Sequence, residues 1–200
     1  MMEADTQKTG ADMAANPTSD PAWVADVLAF WFDTLGRQGW FARDAAIDEE
    51  IRTRFAPLID EINGRAIEES ISSPDHVLAS LIVLDQFTRN VYRGTPRAFA
   101  YDELARAIAR LAIALHIDQR VPLERRIFIY LPFEHSEALA DQLRAVELIE
   151  ALGDAEYTRY AEAHRDVIER FGRFPHRNEI LGRPSTPDEI EFLKQPGSAF

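Results

Sequence analysis

The 200-residue sequence contains no cysteine and only two lysines, Lys8 and Lys194. The absence of cysteine excludes disulfide bonds, thiolate metal ligands and a cysteine nucleophile. No apolar run approaches the roughly 20 residues that cross a bilayer. The N-terminal segment has neither the basic start nor the apolar core of a secretory signal. We therefore expect a soluble, cytoplasmic protein that does not bind membranes.

Acidic residues outnumber basic ones, 34 to 22, which gives a formal net charge of −12 at pH 7. Such a charge repels phosphate backbones and anionic lipid surfaces, so a general nucleic-acid binder is not expected. A chain of this length is typical of one domain and is long enough to bury a sizeable core.

The helical pattern begins only after a polar, acidic N-terminal segment. Residues 1–20 are unpatterned, and we expect a disordered tail there. From Pro21 onward, apolar residues recur at helical spacing, and no alternating strand pattern is visible. The sequence predicts a single all-α domain over residues 21–200, with about eight helices in an antiparallel stack or bundle.

Prolines and capping residues give the expected helix bounds. Asp20, Ser73 and Asp154 are expected to cap helices, Thr95-Pro96 to begin one, and Thr186 with Glu189 to form a capping box. Six longer helices are expected over 21–34, 45–69, 74–90, 96–116, 132–152 and 155–171, and two short ones begin at Pro122 and Pro187. A kink or break is expected within 45–69, at Pro57 or Gly64.

Several polar residues fall on the apolar faces of these predicted helices. Asp85 and Arg89 lie on the apolar face of the helix from Pro74, and His135 and Gln142 on that of the helix from Pro132. His164 lies near the centre of the apolar face of the helix after Asp154. Buried polar groups cost free energy unless they are paired, so these side chains are expected to meet one another or a ligand.

Each of these residues also has a purely structural interpretation. Asp85 and Arg89 are spaced i,i+4 and would form a buried ion pair that fixes packing. The histidines would be hydrogen-bonded core residues. In the chemical interpretation, an imidazole acts as acid or base near neutral pH. The candidate catalytic residues are His135, His164, His176 and Asp85.

A second polar concentration is the segment 171–186, which carries Arg173, His176, Arg177, Asn178 and Arg183 against the single acid Glu179. The planar guanidinium group suits bidentate binding of phosphate or carboxylate. Arginines in such a loop also bind helix C-terminal carbonyl groups, which is the structural alternative.

A similar polar turn, Asn90 and Arg93, follows Arg89. Together the two segments predict a site for an anionic ligand. The candidate ligand-binding residues are Arg89, Asn90, Arg93, Gln142, Arg173, Arg177 and Asn178.

Metal-ligating residues are present but are not compactly spaced. Glu134, Glu137 and Asp141 share helical spacing, and we interpret them as a solvent-exposed acidic face that points away from His135. No HExxH or comparable motif supports a site. The sequence therefore predicts no metal and no cofactor, although a site could be formed by Asp85, His135, His164 and His176.

The chain resembles the uncharacterised bacterial family called domain of unknown function 924. The matching segments are 30–32 (FWF), Trp40-Phe41, 84–102 (LDQFTRNVYRGTPRAFAYD), 131–142 (LPFEHSEALADQ) and 164–189 (HRDVIERFGRFPHRNEILGRPSTPDE). The resemblance implies an all-α, tetratricopeptide-like fold, and it implies no ligand or reaction. Glu134 replaces an apolar residue of the family's usual pattern, which argues against an essential role for its carboxylate.

Three functions follow from these observations. The first is a pocket for a small phosphate- or carboxylate-bearing molecule, with hydrolysis or group transfer as its chemistry if it is an enzyme. The second is a helical-repeat module that binds a peptide or protein partner in a groove. In the third, the polar residues form a buried network with a structural role alone. Oligomeric state is not readable from this sequence.

Overall fold

The computed structural model describes residues 20–198, and all regular structure in that range is helical. Among these residues there are eight helices of six residues or more. They are α1 (22–35), α2 (Ala45–Asn63), α3 (74–91), α4 (Asp102–Ala114), α5 (Ile127–Glu134), α6 (Leu139–Glu150), α7 (Ala155–Phe171) and α8 (Pro187–Phe192). The prediction of an all-α fold with about eight helices is confirmed. The expected disordered tail lies outside the described residues except for Asp20, which accepts a hydrogen bond from Ser73 Oγ at 2.5 Å.

Two helices contain a π-helical segment, Ala29–Leu35 in α1 and Ile82–Phe87 in α3. A π-helical turn is wider than an α-helical one and is found mostly as a local insertion, frequently at functional sites. The segment in α3 holds Asp85, which is buried within the protein. The extra width therefore occurs where a charged side chain has to be accommodated in the core.

Helix α3 lies at the centre of the molecule. Its residues 77–88 are all buried, and α1, α2, α4 and α5 pack against it. Helix α5 is buried along its whole length and also contacts α6, which pairs with α7. Because residues 77–88 of α3 and all of α5 are buried, a polar group on either segment has to find a partner inside the protein.

The capping signals located several helix ends correctly. Ser73 caps α3, and Asp154 caps α7 by accepting hydrogen bonds from two backbone N–H groups. Thr186 and Glu189 form the predicted capping box at α8. Gly64 follows α2 directly and ends it earlier than expected, whereas Pro57 lies inside that helix.

One predicted helix cap and two predicted helix starts were wrong. The Asp20 side chain does not cap α1, because it binds Ser73 instead. Thr95-Pro96 begins a short 3-10 turn, and α4 starts only at Asp102. Pro132 begins no helix: it lies near the end of α5, where one lost backbone hydrogen bond is tolerated. His135 consequently follows α5 directly and is separated from α6 by a turn.

Replacing Thr186 by alanine is expected to lower the free energy of unfolding by about 1 kcal/mol. The Thr186 hydroxyl accepts from Glu189 N at 3.2 Å, and the Glu189 carboxylate accepts from Thr186 N at 2.7 Å. Urea unfolding measures the change. Thr53→Ala, at an exposed position of α2, is the control and should change stability by less than about 0.5 kcal/mol.

Within residues 20–198, no helix combines the length and the apolar character needed to cross a bilayer.

Candidate functional site

A cleft of about 440 Å³ opens where the end of α3, the turn after Trp40 and the C-terminal segment approach one another. We call it the arginine cleft. Most of the residues predicted from sequence as site residues line it. These are Arg89, Asn90, Arg93, His135, His164, His176 and Arg177.

Asp85 lies behind the cleft and orients His135. Its carboxylate, 1% exposed, accepts a hydrogen bond from His135 Nδ1 at 2.7 Å and lies 3.2 Å from Arg89 Nη1. Burial by itself raises the pKa of Asp85, but the Arg89 guanidinium and His135 outweigh it and hold that pKa well below its usual range. An ionised Asp85 fixes the proton on His135 Nδ1 and leaves Nε2 as the nitrogen with a lone pair.

Arg89 is held between two buried carboxylates. It donates to both oxygens of Asp102 at 3.1 Å, and its Nη1 also bonds to the Asp85 backbone oxygen at 2.5 Å. These contacts use much of its donor capacity. Arg89 therefore lines the cleft mainly as the centre of an ion network, and Asp102 is a partner that sequence reasoning missed.

Asn90 and Arg93 share a different acidic partner, Asp48 of α2. Asn90 Nδ2 donates to Asp48 at 2.7 Å, and Arg93 donates through Nε and Nη2 at 2.7 and 2.8 Å. The pKa of Asp48 is lowered by Arg93 and Asn90 against the effect of burial. These contacts tie the end of α3 to the start of α2 at the rim of the cleft.

Arg177 is the least neutralised buried charge of the cleft. Its side chain is 7% exposed, and its guanidinium stands 4.5 Å from the ring centroids of both Phe99 and Phe174. Its charged contact is Asp102 at 3.5 Å, and the buried Nε atom has no hydrogen-bond partner. Burial, with the nearby Arg89, lowers the pKa of Arg177 to about 10, so it stays charged at neutral pH.

A further cation, Arg43, stands at the mouth of the cleft. It is exposed and makes no ion pair with any residue in the described part of the chain. Sequence analysis missed it, although the Trp40-Phe41 pair just before it had been noted. Arg43 and Arg177 together give the cleft more positive charge than its carboxylates compensate.

His164 and Glu134 meet on the inner side of the cleft. His164 Nδ1 lies 2.8 Å from the Tyr160 backbone oxygen and 3.3 Å from Glu134 Oε1. Burial and the neighbouring His135 lower the pKa of His164 to about 3, whereas burial and Asp85 raise that of Glu134 to about 8. Both groups are therefore uncharged at neutral pH, and their contact is polar rather than ionic.

The acidic residues that sequence analysis assigned to a solvent-exposed face are buried or paired. Glu134 is 4% exposed. Asp141 accepts from Ser136 Oγ at 2.7 Å and from Arg110 at 2.6 Å. Glu137 binds Arg183. The interpretation was wrong because the three residues belong to α5, the turn after it and α6, rather than to one continuous helix.

Three predicted ligand-binding residues lie outside the cleft. Gln142 is fully buried and donates to the backbone oxygens of Glu134 and Ser136, both at 2.6 Å, which shapes the turn after α5. Arg173 forms a bidentate ion pair with Glu189. Asn178 is likewise buried, and its side chain donates to Ser185 Oγ at 3.1 Å and accepts from Arg183 Nε at 3.0 Å, which links side chains within the C-terminal loop, residues 172–186.

His176, the remaining catalytic candidate, lines the cleft beside Arg177. Burial and the Arg177 charge lower its pKa to about 3. The structure therefore brings the three candidate histidines into one cleft, all in neutral form at pH 7.

A second cleft of about 500 Å³ lies near Arg37 and Tyr157. Arg37 is bonded to Asp154 and Glu156 at 3.0 Å. Its charge is compensated at the surface, so this cleft lacks a buried, incompletely neutralised cation like Arg177 of the arginine cleft.

Comparison with known proteins places the chain in a family. The model of a bacterial family of proteins of unknown function, DUF924, matches residues 27–197. The chain belongs to the DUF924 family. A solved structure of a protein of unknown function from Agrobacterium tumefaciens is similar to it, with a TM-score of 0.82 and 43% identity over 86% of this chain and 97% of that one. No curated protein matches the chain.

Proposed function

We propose that this DUF924 chain binds a small anionic molecule, bearing a carboxylate or phosphate group, in the arginine cleft. One observation carries the proposal. The Arg177 guanidinium is buried and charged, its Nε has no hydrogen-bond partner, and its one ion pair is 3.5 Å long.

A buried cation with so little compensation is costly for a protein to maintain. An anion that reaches Arg177 Nε recovers this cost, because a charge-assisted hydrogen bond replaces an unsatisfied donor. The ring centroids of Phe99 and Phe174 both lie 4.5 Å from the guanidinium, and packing against these two rings restricts its orientation. A planar group of this kind suits carboxylate and phosphate oxygens.

The shape of the site favours a small molecule over a peptide. The volume of about 440 Å³ lies within the range of small-molecule pockets, roughly 300–1,000 Å³. Arg177 and His164 are buried at its inner end, whereas a peptide groove would present its polar groups along an exposed surface. Arg43 at the mouth would attract the ligand in spite of the negative net charge of the protein.

Acid–base catalysis on the bound molecule is a second candidate function, favoured by the Asp85–His135 contact of 2.7 Å. A buried carboxylate on Nδ1 is the arrangement that lets the other nitrogen of a histidine accept a proton. Hydrolysis or group transfer on a phosphorylated or carboxylated metabolite would use such a base.

Arg177→Gln is expected to abolish stabilisation of the protein by inorganic phosphate or acetate. At 100 times the dissociation constant, a ligand adds about 2.7 kcal/mol of stability, which raises the melting temperature by roughly 5–10 °C in a chain of this size. The measurement is a thermal-shift titration followed by calorimetry of the folded variant. Arg120→Gln, which removes one exposed positive charge elsewhere, should retain the full shift.

Binding of either anion that survives in Arg177→Gln would contradict the proposal. A response to peptides but not to the small anions would favour the peptide-binding alternative. If Arg177→Gln unfolds the protein, Arg43→Gln supplies the test at an exposed position, with a weakened anion affinity expected.

A further inference from the structure

Beside the anion site, two histidines and a glutamate converge at the inner end of the arginine cleft. One potential ligand atom from each of Glu134, His135 and His164 lies within 4.8 Å of the other two. We propose that these three residues bind a divalent cation, Zn²⁺ by its ligand preference, and leave one coordination position open to the cleft.

Both imidazoles are already oriented as metal ligands. His135 directs Nδ1 to the Asp85 carboxylate at 2.7 Å, and His164 directs Nδ1 to the Tyr160 backbone oxygen at 2.8 Å. Ligating histidines in proteins usually donate one ring N–H to such a carboxylate or carbonyl, which fixes the tautomer and frees the other nitrogen. Asp85 and Tyr160 belong to different helices, so the two orientations arise independently.

The ring separation is close to that of a formed site. The centroids of His135 and His164 are 6.2 Å apart, with an angle of 56° between the ring planes. Two imidazoles on one tetrahedral zinc, with Zn–N bonds of about 2.0–2.1 Å, place their ring centres roughly 5–6 Å apart. Moving the two imidazole rings toward each other by about 1 Å or less would bring them to the separation found in such a zinc site.

Glu134 supplies the third donor, and it would bind the ion as a carboxylate after releasing the proton that it carries at neutral pH. It is 4% exposed, and its partner at 3.3 Å is a neutral imidazole. A divalent cation would give this carboxylate the positive partner that its surroundings lack. The family resemblance gives an apolar residue at this position, so we do not expect the site in family members that keep the apolar residue.

The donor set decides the class of ion. Two imidazole nitrogens and one carboxylate oxygen form an open zinc site, in which a water or ligand atom occupies the fourth position. Oxygen-rich sites for Ca²⁺ or Mg²⁺ use more carboxylates and carbonyls than this cluster offers. His135 Nε2 cannot bind the ion and accept a proton at once, so a bound ion, rather than His135, would supply the activation of water.

The open position lies in the same cleft as Arg177. An anion held by Arg177 is therefore expected to complete the coordination of the ion, an extension that rests on the proposed function. Metal binding itself requires only the three side chains, so the two ideas can fail separately.

The test is a Zn²⁺ titration of the chelator-treated full chain, with a competing chromophoric chelator, and the visible spectrum of the Co²⁺-substituted protein. We expect one ion per chain and tetrahedral Co²⁺ bands. Glu134→Leu should lower the affinity at least about 100-fold, as should His164→Gln. Leucine is apolar and close to glutamate in size, so it suits this buried position, and the first variant is expected to fold even if the second does not.

The control is His116→Gln at the surface, which should keep the wild-type affinity. Failure of the wild-type chain to bind Zn²⁺, or full affinity in Glu134→Leu, would overturn the proposal. Phosphate binding by the metal-free chain is measured alongside: if it persists while Zn²⁺ binding is absent, only the metal site is refuted.

Discussion

Replacing Arg89 by methionine is expected to lower the free energy of unfolding by about 3–5 kcal/mol. Methionine fills most of the volume of the arginine but removes the charge that Asp85 and Asp102 share. The Asp85 carboxylate is 1% and the Asp102 carboxylate 10% exposed, so both would remain buried without their main cation. Chemical denaturation followed by circular dichroism measures the loss.

The matched control is Arg93→Met. Arg93 also makes a bidentate ion pair, with Asp48, but its side chain is 40% exposed. A pair so open to water should cost only about 1 kcal/mol or less. Adding Asp102→Asn to Arg89→Met should recover part of the lost stability, because one buried negative charge is removed. Equal losses in the two arginine variants would refute the assignment of Arg89 as the centre of the network.

Replacing Arg183 by methionine is expected to release the C-terminal loop and to weaken phosphate binding at least about tenfold. Arg183 lies outside the cleft but binds Glu137 through both terminal nitrogens, at 2.7 and 2.9 Å. It also donates to Asn178 at 3.0 Å. Glu137 in turn accepts from the Phe174 backbone N–H at 2.9 Å. These bonds fasten the segment that carries Arg177 to the turn that carries His135.

Hydrogen–deuterium exchange locates the effect of this substitution. Faster exchange should be confined to residues 172–186 and to the turn after α5, while α3 keeps its protection. The global stability should fall by about 2–3 kcal/mol, since several charge-assisted hydrogen bonds are lost. Arg170→Met removes an exposed positive charge just before the loop and should leave exchange and phosphate affinity unchanged. Unchanged exchange in Arg183→Met would show that the loop does not depend on this arginine.

Much of the fold follows from local signals. Ser73, Asp154 and Thr186 each cap the helix that the sequence assigned to them, because side-chain capping depends on only a few adjacent residues. The helix start predicted at Pro132 was wrong, because proline is frequent at helix starts but also occurs elsewhere in helices. Its tolerance near the end of α5 depends on tertiary burial of that helix, which no local pattern reports.

The candidate site could be predicted only in part. The helical faces pointed Asp85, Arg89 and His164 inward, and the structure has Asp85 and His164 buried and Arg89 held between buried carboxylates. The partners of these residues could not be predicted from the sequence, because Asp102 and Glu134 contact them only when helices that are distant in sequence pack together. An error in one helix boundary was enough to make Glu134 appear exposed.

The presence of an arginine in a basic segment of the sequence does not by itself indicate that it binds a ligand. Arg173 and Arg177 stand four residues apart in the same basic segment, yet Arg173 is bound to Glu189 whereas Arg177 has an unsatisfied Nε. The difference arises from which acidic side chain the folded loop brings near. It becomes visible only when every donor of each guanidinium is traced to its acceptor.

The central claim is that an anion binds at the unsatisfied Nε of Arg177, and NMR observes that group directly. We would record the ¹H–¹⁵N correlations of the arginine Nε–H groups during a titration with inorganic phosphate, and assign the Arg177 signal from its absence in Arg177→Lys. The account predicts that this signal moves downfield and saturates with the dissociation constant measured by calorimetry. An Arg177 signal that stays in place while phosphate saturates the protein would contradict the account. The same holds if the signals of Arg43 and Arg93 move and that of Arg177 does not.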